Sequence, residues 1–266
     1  MPLAVCATPI GNLDDVTLRV LEELRAADVV LAEDTRHTRG LLERHGVRAQ
    51  LVSYHEHNEA ARVAELLPRL AAGERIALVT DAGMPLVSDP GARLVRAALD
   101  AGMAVTVLPG PSAVETALVA SGLGGDRYAF VGFLPRKAGE LEALWRETAV
   151  WGGALVAFES PRRLPASLRS LASFDPVREV AVCRELTKRF EEVVRGPASE
   201  LAARFEEPPK GEVTLVVAPG SATVDVSGAV AAVGELVASG TPRGVAAEVV
   251  ARLTGVARNH LYRGTL

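Results

Sequence analysis

The sequence predicts an α/β fold: two α/β lobes, over residues 1–120 and 121–221, followed by a small helical unit over residues 222–266. Three observations predict it. Short apolar runs alternate with amphipathic stretches through the first 120 residues. A second series of strand-like runs begins near Ser121. After Pro219-Gly220-Ser221 the composition shifts to Ala, Val and Gly in short helical patterns.

In the first lobe, Leu3–Ala7, Val29–Glu33, Leu51–Tyr54, Ile76–Thr80 and Val105–Leu108 read as strands bounded by turn residues. Between them, Thr17–Ala26, Thr38–His45, Glu59–Ala72 and Ala92–Ala101 space Leu and Val at helical intervals, with Asn58 as an N-cap and Gly102 as a C′ residue. Repeated strand–helix alternation means a mostly parallel sheet covered by helices. In the second lobe, Tyr128–Phe133, Ala154–Glu159, Glu179–Cys183, Glu191–Arg195 and Glu212–Ala218 read as strands, Pro165–Leu171 and Ala198–Phe205 as helices. In the tail, Ala229–Val237, Gly244–Leu253 and Ala257–Tyr262 read as short helices. The last two, joined by a Gly-containing turn, resemble a helix-turn-helix.

Composition narrows the function. The chain has 266 residues, 48% hydrophobic, 23% charged and only 4% aromatic, so the core is built mainly from Val, Leu and Ala. A net charge of −4 argues against a uniformly basic nucleic-acid coat but leaves room for a local basic patch. Cys6 and Cys183 lie in apolar runs and read as buried free thiols; no spacing indicates zinc, and no metal is expected. The N-terminus lacks a charged n-region and no apolar stretch reaches membrane-spanning length, which fits a cytoplasmic protein.

In a parallel α/β sheet ligands bind beyond the carboxyl ends of the strands. There, Gly, Pro and acidic residues concentrate. Thr8–Leu13 sits where a dinucleotide-binding protein carries a Gly-rich loop, but one glycine between Ile10 and Asn12 is no pyrophosphate cradle. Asp81-Ala82-Gly83-Met84-Pro85 combines one acid with small residues that let backbone approach a ligand; a structural Asx turn reads as well from the segment alone. Pro109–Ala113 opens a helix with Ser112 as N-cap, which fits either a ligand contact or a plain capped helix. His55-Glu56-His57 lacks a third metal ligand, and Ser112 has no GxSxG context. Basic clusters at Arg136-Lys137, Arg162-Arg163 and Arg184…Lys188-Arg189 stand at second-lobe strand ends and fit either a solvated face or a phosphate-rich partner.

Together the segments carry a resemblance. TPIGNLDD (8–15), EDTRHT (33–38), YHEHNE (54–59), TDAGMPLVSDPG (80–91), LPGPSA (108–113), GFLPRK (132–137), FESPRRL (158–164) and RELTKRFEE (184–192) occur in an order that closely resembles the ribosomal RNA small-subunit methyltransferase I family, within the tetrapyrrole-methylase-like class. The resemblance covers roughly residues 2–218. It implies two lobes with S-adenosylmethionine in the cleft between them, and a homodimer. It also implies 2′-O-methylation of a cytidine ribose in the decoding region of 16S RNA in the small ribosomal subunit. Carried over by resemblance, the cofactor contacts fall on Leu13, Asp81, Ala82, Gly83, Met84, Ser112 and Ala113, and on Phe158, Leu186 and Val213 of the second lobe. Met84 departs from the small polar residue expected there, so the resemblance implies a backbone contact at this position.

A ribose hydroxyl is a poor nucleophile until its proton is removed. Asp34 is the first choice as base and Asp89 the second, with Arg36 and Lys188 placed to hold a phosphate; an Asp34–Arg36 ion pair that only stabilises the loop is the competing reading. Arg136, Lys137, Arg162, Arg163 and Arg258 are the expected RNA contacts. A tetrapyrrole-precursor methyltransferase and a non-catalytic RNA-binding assembly factor remain the alternative functions.

Overall fold

The computed structural model describes residues 2–220, 226–254 and 256–265. The first lobe holds β1 (Leu3–Cys6), β2 (Val29–Ala32), β3 (Leu51–Ser53), β4 (Ile76–Leu78) and β5 (Val105–Leu108) in the order β3-β2-β4-β1-β5, every pair parallel. Its helices are α1 (Leu18–Ala26), α2 (Thr35–Arg44), α3 (Glu59–Ala71), α4 (Ala92–Asp100) and α5 (Ala113–Ser121). Successive strand residues point to opposite faces, so a sheet covered on both sides needs apolar residues throughout. Ala4, Cys6, Val30, Ala32 and Ala77 pack on one face with Val20, Leu24 and Leu42; Leu3, Val29, Leu31, Ile76 and Leu78 pack on the other with Leu66, Leu70 and Leu94.

The second sheet holds β6 (Tyr128–Phe133), β7 (Ala154–Glu159), β8 (Glu179–Arg184), β9 (Glu192–Pro197) and β10 (Val213–Val217) in the order β6-β7-β10-β8-β9. Only β6 and β7 run parallel; the other pairs are antiparallel. Helices α6 (Ala138–Trp151), α7 (Leu164–Phe174) and α8 (Ala198–Arg204) cover one face, over Leu155, Ala157, Val180, Val182, Leu215 and Val217. On the other face Val156, Ala181, Cys183 and Val216 meet Val114 and Ala117 of α5. Helix α5 thus leaves the first lobe and packs on the second sheet.

Several local expectations change. The strands β1–β4 stop one or two residues earlier than their apolar runs, and the freed residues lead into the loops that follow. Helix α2 begins at Thr35 because Asp34 caps it: the carboxylate accepts the Arg36 N–H at 2.8 Å. Asn58 holds the N-cap position of α3 without a capping bond. Its side chain instead ties the preceding loop, accepting from the His55 N–H and donating to the Ser53 carbonyl. Gly102, at φ 71°, follows α4 in the left-handed conformation read for it. Ser112 stands at the N-cap of α5, but its hydroxyl bonds the Glu115 carboxylate rather than the backbone. Helix α6 lies in a segment that the sequence reading passed over.

The tail helices α9 (Val226–Ala238), α10 (Arg243–Thr254) and α11 (Arg258–Gly264) pack on one another around Ala229, Val233, Ala246, Ala247, Val250, Val256 and Leu261. The turn residue Gly255 lies outside the described residues. Among the described residues no helix is long and apolar enough to cross a membrane, and no group of His, Cys, Asp and Glu could hold a metal ion.

Candidate functional site: a cleft between the two sheets

A cavity of about 430 Å³ opens where loops of the two sheets converge. From the first lobe, Ile10, Ala82, Gly83, Met84, Val87, Ser88 and Asp89 line it, and the first turn of α5 adds Ser112, Ala113 and Val114. From the second lobe come Phe133, Phe158–Pro161, Cys183, Leu186 and Gly211–Thr214. That size and a mostly apolar wall with a few polar groups suit a small organic ligand.

The loops are tied to each other. Thr8 and Gly83 exchange backbone hydrogen bonds of 2.9 and 3.1 Å, and the Thr8 hydroxyl donates to the Thr80 carbonyl. Gly83 sits at φ 80°, a conformation that glycine adopts without strain. Asp81 does not line the cavity; its Oδ1 accepts the Asp34 N–H at 3.0 Å and joins the loops after β2 and β4. The loop bearing Asp89 is held from behind. The buried Glu59 carboxylate accepts the Gly91 N–H and the Tyr54 hydroxyl, each at 3.1 Å. Across the cleft, the Asn12 N–H donates to the Thr187 hydroxyl at 3.0 Å, joining the lobes directly.

Asp89 has the most unusual electrostatics. Burial, then the nearby carboxylates of Glu33 and Asp81, push its pKa up to about 7. Glu33 is raised too, first by burial and then by Asp81. A group of acids beside an apolar cavity complements a cationic ligand. Asp34 is the opposite case. A bidentate bond from the Arg36 guanidinium and the Arg36 N–H hold its carboxyl well below the ordinary range. It caps α2 and does not line the cavity.

The structure brings Ala82, Gly83, Met84, Asp89, Ser112, Ala113, Phe158, Leu186 and Val213 to this one cavity. Leu13 lies apart in a 3₁₀ turn, its carbonyl bonded to His45 at 2.9 Å. Arg36 is largely exposed and engaged by Asp34. Lys188 is paired with Glu185 at 3.0 Å and with Glu212, a lining residue, at 2.8 Å. Arg136 and Arg162 are exposed and have no ion-pair partner among the described residues, whereas Lys137 pairs with Glu140. Arg163 is an internal brace, not a free cation: it pairs with buried Glu159 at 2.5 Å and donates to the Leu134 carbonyl at 3.1 Å. Arg258 is exposed at the start of α11, in the tail. Burial pushes the Cys183 thiol up to about 12, so this lining group is inert. Sequence reasoning missed Glu33, Ser88, Phe133 and Glu159, although each lies in a segment it had quoted.

A family model for tetrapyrrole (corrin/porphyrin) methylases matches residues 2–202. A ribosomal RNA small subunit methyltransferase I of Mesorhizobium japonicum is 45% identical, over 99% of this chain and 91% of its own length. The chain belongs to this methyltransferase I family of the tetrapyrrole methylases. Another member, from Thermotoga maritima, is 43% identical over 97% of its own length but only 81% of this chain. Among solved structures, diphthine synthase superposes with a TM-score of 0.63 at 17% identity, covering 81% of this chain and 89% of that one. A uroporphyrin-III-C-methyltransferase from Thermus thermophilus superposes with a TM-score of 0.55 at 23% identity, covering 82% and 93%. At such identities these two show the shared fold. As a family member the chain is an S-adenosylmethionine-dependent methyltransferase. The cleft fits that cofactor: its wall is apolar, Gly83 and the first turn of α5 present backbone, and Glu33 and Asp81 beside it offset a sulfonium and an ammonium.

Proposed function

We propose that the chain methylates the ribose 2′-oxygen of a cytidine in the decoding region of small-subunit ribosomal RNA, with Asp89 as the base. The observation that carries the chemistry is the position of Asp89: a carboxyl on the cavity wall whose pKa of about 7 suits proton transfer near neutral pH. When bound, S-adenosylmethionine supplies an electrophilic methyl group. The chain's part is to hold the acceptor hydroxyl against Asp89, which takes its proton, and to exclude water with the apolar walls of Ile10, Val87, Phe158 and Leu186. Asp34 is the weaker base, because its ion pair with Arg36 suppresses its proton affinity and occupies its oxygens.

Residues Gly83, Met84, Ser112, Ala113, Phe158, Leu186 and Val213 form the cofactor side of the reading, and Asp81 supports it by fixing the loop. Arg136 and Arg162, exposed and without an ion-pair partner among the described residues, follow lining segments along the chain and serve as phosphate contacts. The test is incubation with methyl-labelled cofactor and unmethylated small subunits. Label should appear in the RNA, and the labelled position should resist alkaline cleavage, which needs a free 2′-hydroxyl. Label on the base, or none on RNA, overturns the reading. The same reading includes a homodimer; light scattering at micromolar concentration should give twice the 28.0 kDa chain mass.

A further inference from the structure

Phe133 is the one large aromatic side chain that lines the cavity and is mostly exposed, at 59%, among the described residues. A single exposed apolar residue is ordinary and needs no explanation. The backbone beneath Phe133 is not ordinary. Strand β6 pairs with β7 in regular register from Tyr128 to Phe130, then slips: Phe130 stands opposite Val156 but Phe133 opposite Phe158. Three residue steps on β6 therefore match two on β7. Side chains alternate along a regular strand, so Phe130 and Phe133 would point to opposite faces; the bulge puts both on the face of Val156 and Phe158. Gly132, at φ 67°, absorbs the turn. The result is an edge-to-face series, Phe130–Phe158 at 4.9 Å and Phe133–Phe158 at 5.7 Å between ring centroids.

We infer that Phe133 is a stacking platform for the base of the acceptor nucleotide, an inference that rests on the RNA reading above. The cavity has a buried part and a rim. Ile10, Gly83, Val114, Leu186 and Val213 are buried, whereas Val87, Ser88, Phe133 and Glu212 are exposed. A cofactor that must be shielded from water takes the buried part, and the incoming substrate meets the rim. A Cβ on Gly132 would lie 3.5 Å from the Ser88 hydroxyl, so the bulge lies beside the loop that carries Asp89. A base lying on the free face of Phe133 thus directs its ribose toward Ser88 and Asp89. The segment leaving Phe133 reaches the unpaired Arg136, and the Arg163 bonds hold that segment against the one bearing unpaired Arg162. An aromatic face flanked by free cations is how proteins hold an unstacked nucleotide.

The test uses the full chain with unmethylated small subunits. Phe133→Ala should lower kcat/KM for the subunits by roughly 5- to 150-fold, the span of base–aromatic stacking, while calorimetry finds the Kd for cofactor within about twofold of the parent. Phe133→Tyr should restore most of the rate and Phe133→Leu should not, because leucine keeps apolar bulk but has no π face. In Phe133→Trp, a fluorescence change that requires RNA and is absent with cofactor alone places the base on the ring. Unchanged kcat/KM in Phe133→Ala, full rescue by Phe133→Leu, or a fluorescence change with cofactor alone overturns the inference while the RNA reading stands. Failure of the parent chain to label RNA overturns both.

Discussion

At the scale of single residues, Asp34 and Asp89 show how environment divides the labour of chemically identical groups. Asp34 is ion-paired and caps a helix, which makes it useful to the fold and a poor proton acceptor. Asp89 carries its charge against burial and two neighbouring acids. Its folded pKa is raised, so the stability linked to it is complete below the unfolded value near 4 and declines as pH rises to about 7. Asp89→Asn should therefore melt a few degrees above the parent at pH 8, with the difference vanishing near pH 4. Turnover should fall at least about 100-fold, with cofactor affinity nearly unchanged. In the parent, kcat should rise with pH and level off above about 7. Retained turnover in Asp89→Asn would remove it as the base. Asp34→Asn is the control: it should lower the melting temperature modestly and leave the pH profile in place.

At the scale of elements, the cleft is shaped by two lips with unusual backbone. Leu86 and Ser88 on one lobe, and Glu185 and Thr187 on the other, have φ between 51° and 74°, a region that non-glycine residues rarely occupy. The second-lobe lip meets the loop after β1 where only glycine fits. A Cβ on Gly11 would sit 2.5 Å from the Lys188 Cγ and 2.9 Å from the Leu186 carbonyl oxygen. The backbone oxygen cannot swing aside as a side-chain tip can, so Gly11→Ala should push the lobes apart. Overpacking of this kind costs about 1–3 kcal/mol, and cofactor affinity should drop about tenfold or more by calorimetry. An unchanged Kd would mean that this contact does not shape the site. Such long-range facts mark where sequence reading stops. Strands β1, β2 and β4 were legible because apolar runs between turn residues are local signals. The cavity loops were legible because Gly, Pro and acids gather at strand ends. Helix α6 was overlooked although Leu141, Leu144, Trp145 and Thr148 recur at helical spacing, so that signal was present. The β6 bulge and the acids behind Asp89 had no such signal. They depend on register and on loops distant in sequence.

At the scale of the whole molecule, the tail stands apart from the cleft in both composition and packing. Its helices share a core of their own. From Thr241 onward its described acid is Glu248, against Arg243, Arg252, Arg258 and Arg263. Arg243 is partly spent internally, half-buried with its guanidinium 6.0 Å from the Tyr262 ring centroid, but the other three are exposed. Exposed arginines on a compact helical unit of a chain with net charge −4 fit a surface that meets phosphate. A chain ending at Ser221 should keep its Kd for the cofactor and its kcat at saturating small subunits, while KM for the subunits rises. Because each phosphate contact contributes close to one unit to the salt dependence, losing the three exposed arginines should flatten the slope of log affinity against log salt by up to about three. The affinity gap between the two chains should accordingly be widest at low salt, and Arg258→Glu in the full chain should reproduce part of it. Equal KM and equal salt slope in the shortened chain would make the tail a packing unit, leaving RNA recognition wholly to the rim of the cleft.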